Sequence, residues 1–292
     1  MLQLSYWRSL TMVARALLVA TILVAGCTAH PRTAAEPGGT QPDGPQPTVE
    51  LRPPPVTGSF DYQLGGVYAI PGLAVVVRDA TEHPLPGAYN ICYVNGFQTQ
   101  PGDGERWLQQ HPTAVLRTPD GAPVSDPDWP DEYVLDPSTA PQRAIILDVL
   151  GPVFSECAAK GYNAVEVDNL DTFTRFPGRI DEAGAIELAR SFVTMAHDHR
   201  LAIGQKNAAE TTDRGRHEVG FDFAVAEECA AYDECGRYAE AYGPHVLQIE
   251  YTDNLPAPFA DVCASSDRAP MTILRDRLLV ARGAAGYAYE QC

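Results

Sequence analysis

The stretch Ala164-Val165-Glu166-Val167-Asp168 alternates apolar and acidic residues with the period of a β-strand. Glu166 and Asp168 therefore share one face, and the two valines share the other. A helix pattern ending at Lys160, a stop at Gly161 and a loop from Asn169 frame the strand as part of a parallel α/β unit. Strands in such units are covered on both faces, so these carboxylates must point into a barrel or a sheet crevice. An uncompensated charge there is costly, and the pattern marks a site. Polar groups recur at the ends of three later strand signals: Lys206 and Asn207, Glu227 and Glu228, Glu250 and Tyr251. Carboxylates facing one another across a barrel mouth can hydrolyse a glycosidic bond. One protonates the leaving oxygen, while the other attacks the sugar or activates water. The proton donor needs a raised pKa, which burial and like-charge neighbours supply.

Other chemistries lack their motifs. No H-E-x-x-H, G-x-S-x-G, Walker or G-x-G-x-x-G pattern occurs, and no C-x-x-C pair suggests zinc or dithiol redox work. His197-Asp198-His199 closes a predicted helix, where the helix dipole favours cations, and is expected to be structural. A divalent cation on Asp168, Glu227 and Glu250 is a rival reading, weakened by the lack of histidine at those strand ends. No cofactor is expected. A net charge of −17 excludes nucleic acid as a partner and would attract a cationic polymer.

The elements that must position these residues follow from short apolar runs. Strands are expected at Phe60 to Leu64, Leu73 to Val77, Tyr89 to Val94, Ala164 to Asp168, Leu201 to Gly204, Phe221 to Ala226, Val246 to Tyr251 and Gly286 to Tyr289. Helices are expected at Ala144 to Lys160 and Glu182 to His199. The count suits a single-domain α/β fold, a (β/α)8 TIM barrel, over residues 59–292, with its chemistry at the C-terminal strand ends. Ahead of it, Arg8 and Arg15 precede the apolar run Ala16 to Ala25, and Val24-Ala25-Gly26-Cys27 resembles a lipobox. Residues 1–26 therefore read as a lipoprotein signal peptide, with Cys27 lipidated. An ordinary secretory leader is the alternative. Residues 27–58 are rich in Pro, Gly, Thr and Gln and read as a disordered linker. The chain is expected to be exported and monomeric, touching a membrane by its lipid anchor only. Cys92, Cys157, Cys229, Cys235, Cys263 and Cys292 then read as three disulfides. Cys92 on the third strand and Cys157 on the helix before the fourth would pair as neighbours, and the other four among themselves.

In order, "GYNAVEVDNLDTF", "GQKN", "FDFAVAEECAAYDEC" and "QIEY" resemble the endo-α-1,4-polygalactosaminidases of glycoside hydrolase family 114. "FDYQLGG" and "NICYV" add weaker matches, so that the resemblance runs from about Phe60 to Cys292. It implies a (β/α)8 barrel that cleaves α-1,4-linked galactosamine polymers, with Asp168 as nucleophile and Glu227 as acid/base. The residue pattern alone leaves Glu227 and Glu228 interchangeable, since a small bulge would exchange their faces. Two stretches depart from the family pattern: Tyr93-Val94-Asn95-Gly96-Phe97, and Leu73 to Asp79. A galactosamine polymer would place ammonium groups against Glu166, Asp171 and Glu250, with Asn169 beside them. Tyr93, Tyr251 and Trp107 are candidates to stack on sugar faces. Lys206 would favour the ionised form of its carboxylate neighbours. A non-catalytic polysaccharide-binding lipoprotein would keep the same features and is the alternative.

Overall fold

The computed structural model describes residues 51–292. The expected leader, Cys27 and the linker as far as residue 50 lie outside the described residues. Nine strands form one sheet in chain order. They are β1 (Phe60–Gln63), β2 (Val75–Asp79), β3 (Tyr89–Asn95), β4 (Ala164–Asp168), β5 (Ala202–Lys206), β6 (Phe223–Glu227), β7 (Val246–Tyr251), β8 (Met271–Arg275) and β9 (Tyr289–Gln291). Neighbours from β1 to β8 pair in parallel, whereas β9 runs antiparallel to β8. The helices are α1 (Gly104–Gln110), α2 (Ala140–Lys160), α3 (Thr172–Arg175), α4 (Glu182–Asp198), α5 (Thr212–Arg214), α6 (Cys235–Tyr242) and α7 (Phe259–Ala264). This is a (β/α)8 barrel with an extra antiparallel strand at its seam. None of the described helices is long and apolar enough to cross a membrane.

Strand alternation separates two cores. Phe60, Tyr62, Val75, Val77, Ile91, Ala164, Ala202, Phe223, Val225, Ile249 and Ile273 fill the barrel. Val94, Val165, Val167, Ile203, Ala224 and Ala226 pack outward, against helix residues such as Phe154 and Phe192. Small residues inside β4 and β5 make room for large ones elsewhere. A Cβ on Gly204 would stand 2.5 Å from the Phe223 ring, so only glycine fits there.

The long helices start and stop where their sequences dictate. A capping box between Thr139 and Gln142, followed by a proline in the first turn, opens α2, and left-handed Gly161 (φ 92°) closes it. Asp181 caps α4 by accepting from Gly184 N at 2.8 Å. At its far end His197 meets Asp222 at 2.9 Å, and that hydrogen bond raises the imidazole pKa. The His197-Asp198-His199 run is thus a structural helix end. Three disulfides join Cys92 to Cys157, Cys229 to Cys235 and Cys263 to Cys292. The first ties β3 to α2, the second closes the loop between β6 and α6, and the third fastens the C-terminus to α7.

One strand was misplaced by the sequence reading. The eighth barrel strand is Met271–Arg275, and Gly286 to Tyr289 runs from a turn into the first residue of antiparallel β9. The physical reason is Arg275, which makes the run look like a strand giving way to a polar loop. In the fold it is fully buried, donating at 2.6 Å to Asp61, which is also fully buried, and to the Tyr62 carbonyl. These bonds link β8 to β1. Gln291 on β9 accepts from Phe60 N at 3.2 Å, and Tyr289 donates to the Phe60 carbonyl at 2.8 Å. Side chains thereby close the seam of the barrel.

Candidate active site

The ends of three consecutive strands share one backbone device. Asn169, Asn207 and Glu228, each directly after a strand, have left-handed φ values of 69°, 49° and 58°. Such a conformation is uncommon outside glycine and asparagine and gathers at functional sites. It turns the chain sharply, leaving Asp168, Lys206 and Glu227 as the last side chains aimed into the barrel mouth. Asn207 then reaches across to β6, donating to Glu227 Oε2 at 3.0 Å and accepting from Glu227 N at 2.9 Å.

Lys206 sits at the centre of the cluster. Its Nζ lies 3.1 Å from Glu227 Oε2, 3.3 Å from Glu166 Oε1 and 3.4 Å from Asp168 Oδ1, and it donates to Tyr62 Oη at 2.9 Å. Three tyrosines complete the arrangement, one per carboxylate. Tyr62 donates to Glu166 at 2.5 Å, Tyr93 to Asp168 Oδ2 at 2.6 Å and Tyr251 to Glu227 Oε1 at 2.5 Å. The Asn169 N–H donates to Asp168 Oδ1 at 2.8 Å. Exposure separates the three carboxyl groups. The Asp168 and Glu227 side chains are 16% and 22% accessible, whereas Glu166 is sealed beneath them.

Electrostatics follow from that burial. Loss of water pushes the Glu166 carboxyl up to about 7, against the pull of Lys206. For Lys206, burial works against the charge, yet Asp168, Glu227 and Glu166 outweigh it and raise the ammonium well above its ordinary range. Burial also pushes the phenols of Tyr62, Tyr93 and Tyr251 well up, so all three stay neutral donors. One permanent cation thus holds three carboxylates together.

A polar chain extends the site towards β3. Asn169 Nδ2 donates to Asn95 at 2.9 Å, and Asn95 donates to Glu132 at 2.7 Å. Arg175 binds Asn169 at 2.6 Å, Asp171 at 3.1 Å and the buried carboxylate of Asp126. On the other side, Arg277 grips Glu228 at 2.7 and 2.8 Å, and its guanidinium lies 4.4 Å from the centre of the Tyr251 ring. Glu228 is therefore held outside the cluster, and of the two only Glu227 reaches Lys206.

Of the expected residues, Asp168, Glu227, Glu166, Lys206, Tyr93 and Tyr251 converge, while Asn169 and Asp171 lie on the adjoining rim. Glu250 does not join them. Period two puts Tyr251 inside the barrel and Glu250 on the outer face, where it accepts from Ala230 N at 3.0 Å and Gln248 at 2.8 Å. That rules out the metal trio of Asp168, Glu227 and Glu250. Glu250 does lie within 4.8 Å of Cys229 and Cys235, but their sulfurs are joined in a disulfide. Glu166 and Glu250 have no exposed surface, so neither can meet a sugar ammonium. Trp107 is likewise buried, edge-on to His111. Sequence reasoning missed Tyr62, although its place beside Phe60 in an alternating strand was a usable signal. It also left Asn207 without a role.

A (β/α)8 barrel with carboxylates from β4 and β6 converging at the C-terminal strand ends has the architecture of a glycosidase that works by a carboxylate pair. The chain belongs to glycoside-hydrolase family GH114, whose model matches residues 40–292. Among solved structures it is similar to Ega3 from Aspergillus fumigatus in complex with galactosamine. That match has 21% identity and a TM-score of 0.65, covering 84% of this chain and 99% of that one. It is also similar to the glycoside hydrolase domain of PelA from Pseudomonas aeruginosa, at 16% identity and a TM-score of 0.52, covering 78% and 97%. A search of curated proteins by sequence matches none.

Proposed function

We propose that this protein is an endo-acting glycosidase that cleaves α-1,4-linked galactosamine polymers, with Asp168 as nucleophile and Glu227 as acid/base. The observation that carries the reading is the pair of accessible carboxylates on either side of one buried ammonium. Distances of 3.4 and 3.1 Å from Lys206 limit those two oxygens to at most about 6.5 Å apart. Retaining enzymes place their carboxyl groups about 5–5.5 Å apart, and inverting enzymes leave about 6.5–9.5 Å for a water. That bound accommodates the retaining spacing, on which the steps below are written.

In the first step Asp168 attacks the anomeric carbon while Glu227 gives its proton to the departing oxygen, forming a glycosyl ester on Asp168. In the second, Glu227 takes a proton from water as that water attacks the anomeric carbon, breaking the bond from sugar to ester oxygen and freeing the Asp168 carboxylate. Tyr93 and the Asn169 N–H hold the nucleophile's oxygens in place, and Lys206 balances charge throughout. Galactosamine enters from the family, from the relative bound to that sugar and from the acidic chain. Export behind a lipid anchor on Cys27 completes the proposal, supported by three disulfides in the barrel.

Incubating the purified protein with deacetylated and acetylated α-1,4-galactosamine polymers tests the reading. Oligosaccharides of several lengths should appear from the deacetylated polymer. Tight binding without release would favour the non-catalytic lipoprotein instead.

A further inference from the structure

The three aromatics that sequence nominated for sugar stacking are occupied elsewhere. Trp107 is buried, while Tyr93 and Tyr251 spend their hydroxyls on Asp168 and Glu227. Among the described residues two aromatic side chains are exposed: Trp129 at 50% and Tyr232 at 62%. Trp129 lies on the connection leaving β3, and Tyr232 on the loop leaving β6. Both connections depart from C-terminal strand ends, three strands apart around the barrel.

Both loops are held firmly. Asp126 Oδ1 accepts from Asp128 N at 2.9 Å and Trp129 N at 3.4 Å, and the Trp129 carbonyl accepts from Glu132 N at 2.9 Å. The Tyr232 loop is closed by the Cys229–Cys235 disulfide, with Tyr232 N donating to the Glu228 carbonyl at 3.1 Å. Hydrogen bonds also run from one loop to Asp168 and from the other to the residue after Glu227. From Trp129 the route runs through Glu132, Asn95 and Asn169 to Asp168. From Tyr232 it runs through Asn254, which donates to the Tyr232 hydroxyl at 3.5 Å and to Glu228, the residue after Glu227, at 3.0 Å. A rigid loop that keeps a large apolar ring in water gains nothing for the fold from that ring.

We propose that Trp129 and Tyr232 are stacking platforms for amino-sugar units of the polymer on opposite sides of the cleaved bond. This rests on the polymer-cleaving reading above. A galacto-configured ring offers a C–H face to an aromatic plane, and its ammonium can pair with a neighbouring carboxylate or with the ring itself. Exposed Asp128 and Asp131 flank Trp129, and exposed Asp233 follows Tyr232. Both platforms therefore offer the two contacts that distinguish an amino sugar from a neutral one. The Cys229–Cys235 bond acquires a purpose in this arrangement, since it fixes the height and direction of Tyr232.

Trp129→Ala and Tyr232→Ala, singly and combined, together with Trp129→Phe and Tyr232→Phe, test the proposal in the full-length protein. Substrates are deacetylated α-1,4-galactosamine polymer and the shortest oligomer that the wild type cleaves. Each alanine variant should raise the polymer KM about ten-fold, with kcat changed less than about two-fold, and phenylalanine should restore most of the loss. The penalty should shrink on the shortest oligomer, which cannot span both platforms. An unchanged polymer KM in the double variant would overturn the proposal. So would an equal loss on polymer and oligomer, the mark of a merely structural effect. If the wild type neither binds nor cleaves the polymer, the function proposed above fails and takes the platforms with it.

Discussion

Of the described residues, Lys206 is the one cation among the carboxyl groups of Asp168, Glu227 and Glu166. Removing a single partner from a buried ionic cluster is among the most damaging substitutions, costing about 3–5 kcal/mol. Lys206→Met should therefore lose about that much stability in urea unfolding at neutral pH, and a loss below about 1 kcal/mol would show that the cluster is already neutral. Glu166 gives a pH signature of opposite sense to an ordinary ion pair. Its folded-state value of about 7 lies above its usual 4.5. Between those two values the folded chain retains a proton that the unfolded chain has released, so stability falls as pH rises through that window. The thermal midpoint should drop from about pH 5 to about pH 7, and Glu166→Gln should flatten that drop. A wild type and variant with parallel profiles would refute the assignment. At this scale the sequence was half legible. Alternation correctly put Glu166 and Asp168 together, because strand period is a backbone property. It said nothing about depth, so Glu166 looked like a substrate contact and not like the floor of the site. That Glu228 lies outside the cluster depends on Arg277, a residue 49 positions further on.

Elements were legible where one strand or helix carried its own signal. Gly161 ended α2, and β7 was read with its observed limits, because cap and period are local. The eighth strand escaped because the partners that let Arg275 be buried include Asp61 and the Tyr62 carbonyl, more than 200 residues away. The Cys92–Cys157 bond, by contrast, followed from adjacency of β3 and α2 in the expected barrel. It closes a span of 65 residues, so a Cys92→Ala/Cys157→Ala variant should lose about 4 kcal/mol of stability by the loop-entropy relation. Denaturant melts of oxidised wild type and the double variant measure this directly. A difference under about 1 kcal/mol would mean that packing alone joins strand to helix.

As a whole molecule, the barrel offers an acidic mouth whose two accessible carboxylates meet one buried cation. The charge of −17 suits a cationic polymer, and the proposed platforms on the connections after β3 and β6 would align it across that mouth. The central claim is that Asp168 and Glu227 form a working pair, and replacing each with its amide isolates chemistry from folding. Oligosaccharide release from deacetylated α-1,4-galactosamine polymer should be compared for wild type, Asp168→Asn, Glu227→Gln and Glu228→Gln, with thermal midpoints recorded alongside. The account predicts release by wild type, loss of about 10³-fold or more in Asp168→Asn and Glu227→Gln with the fold intact, and substantial activity in Glu228→Gln. Near-normal release by folded Asp168→Asn, or loss confined to Glu228→Gln, would contradict it.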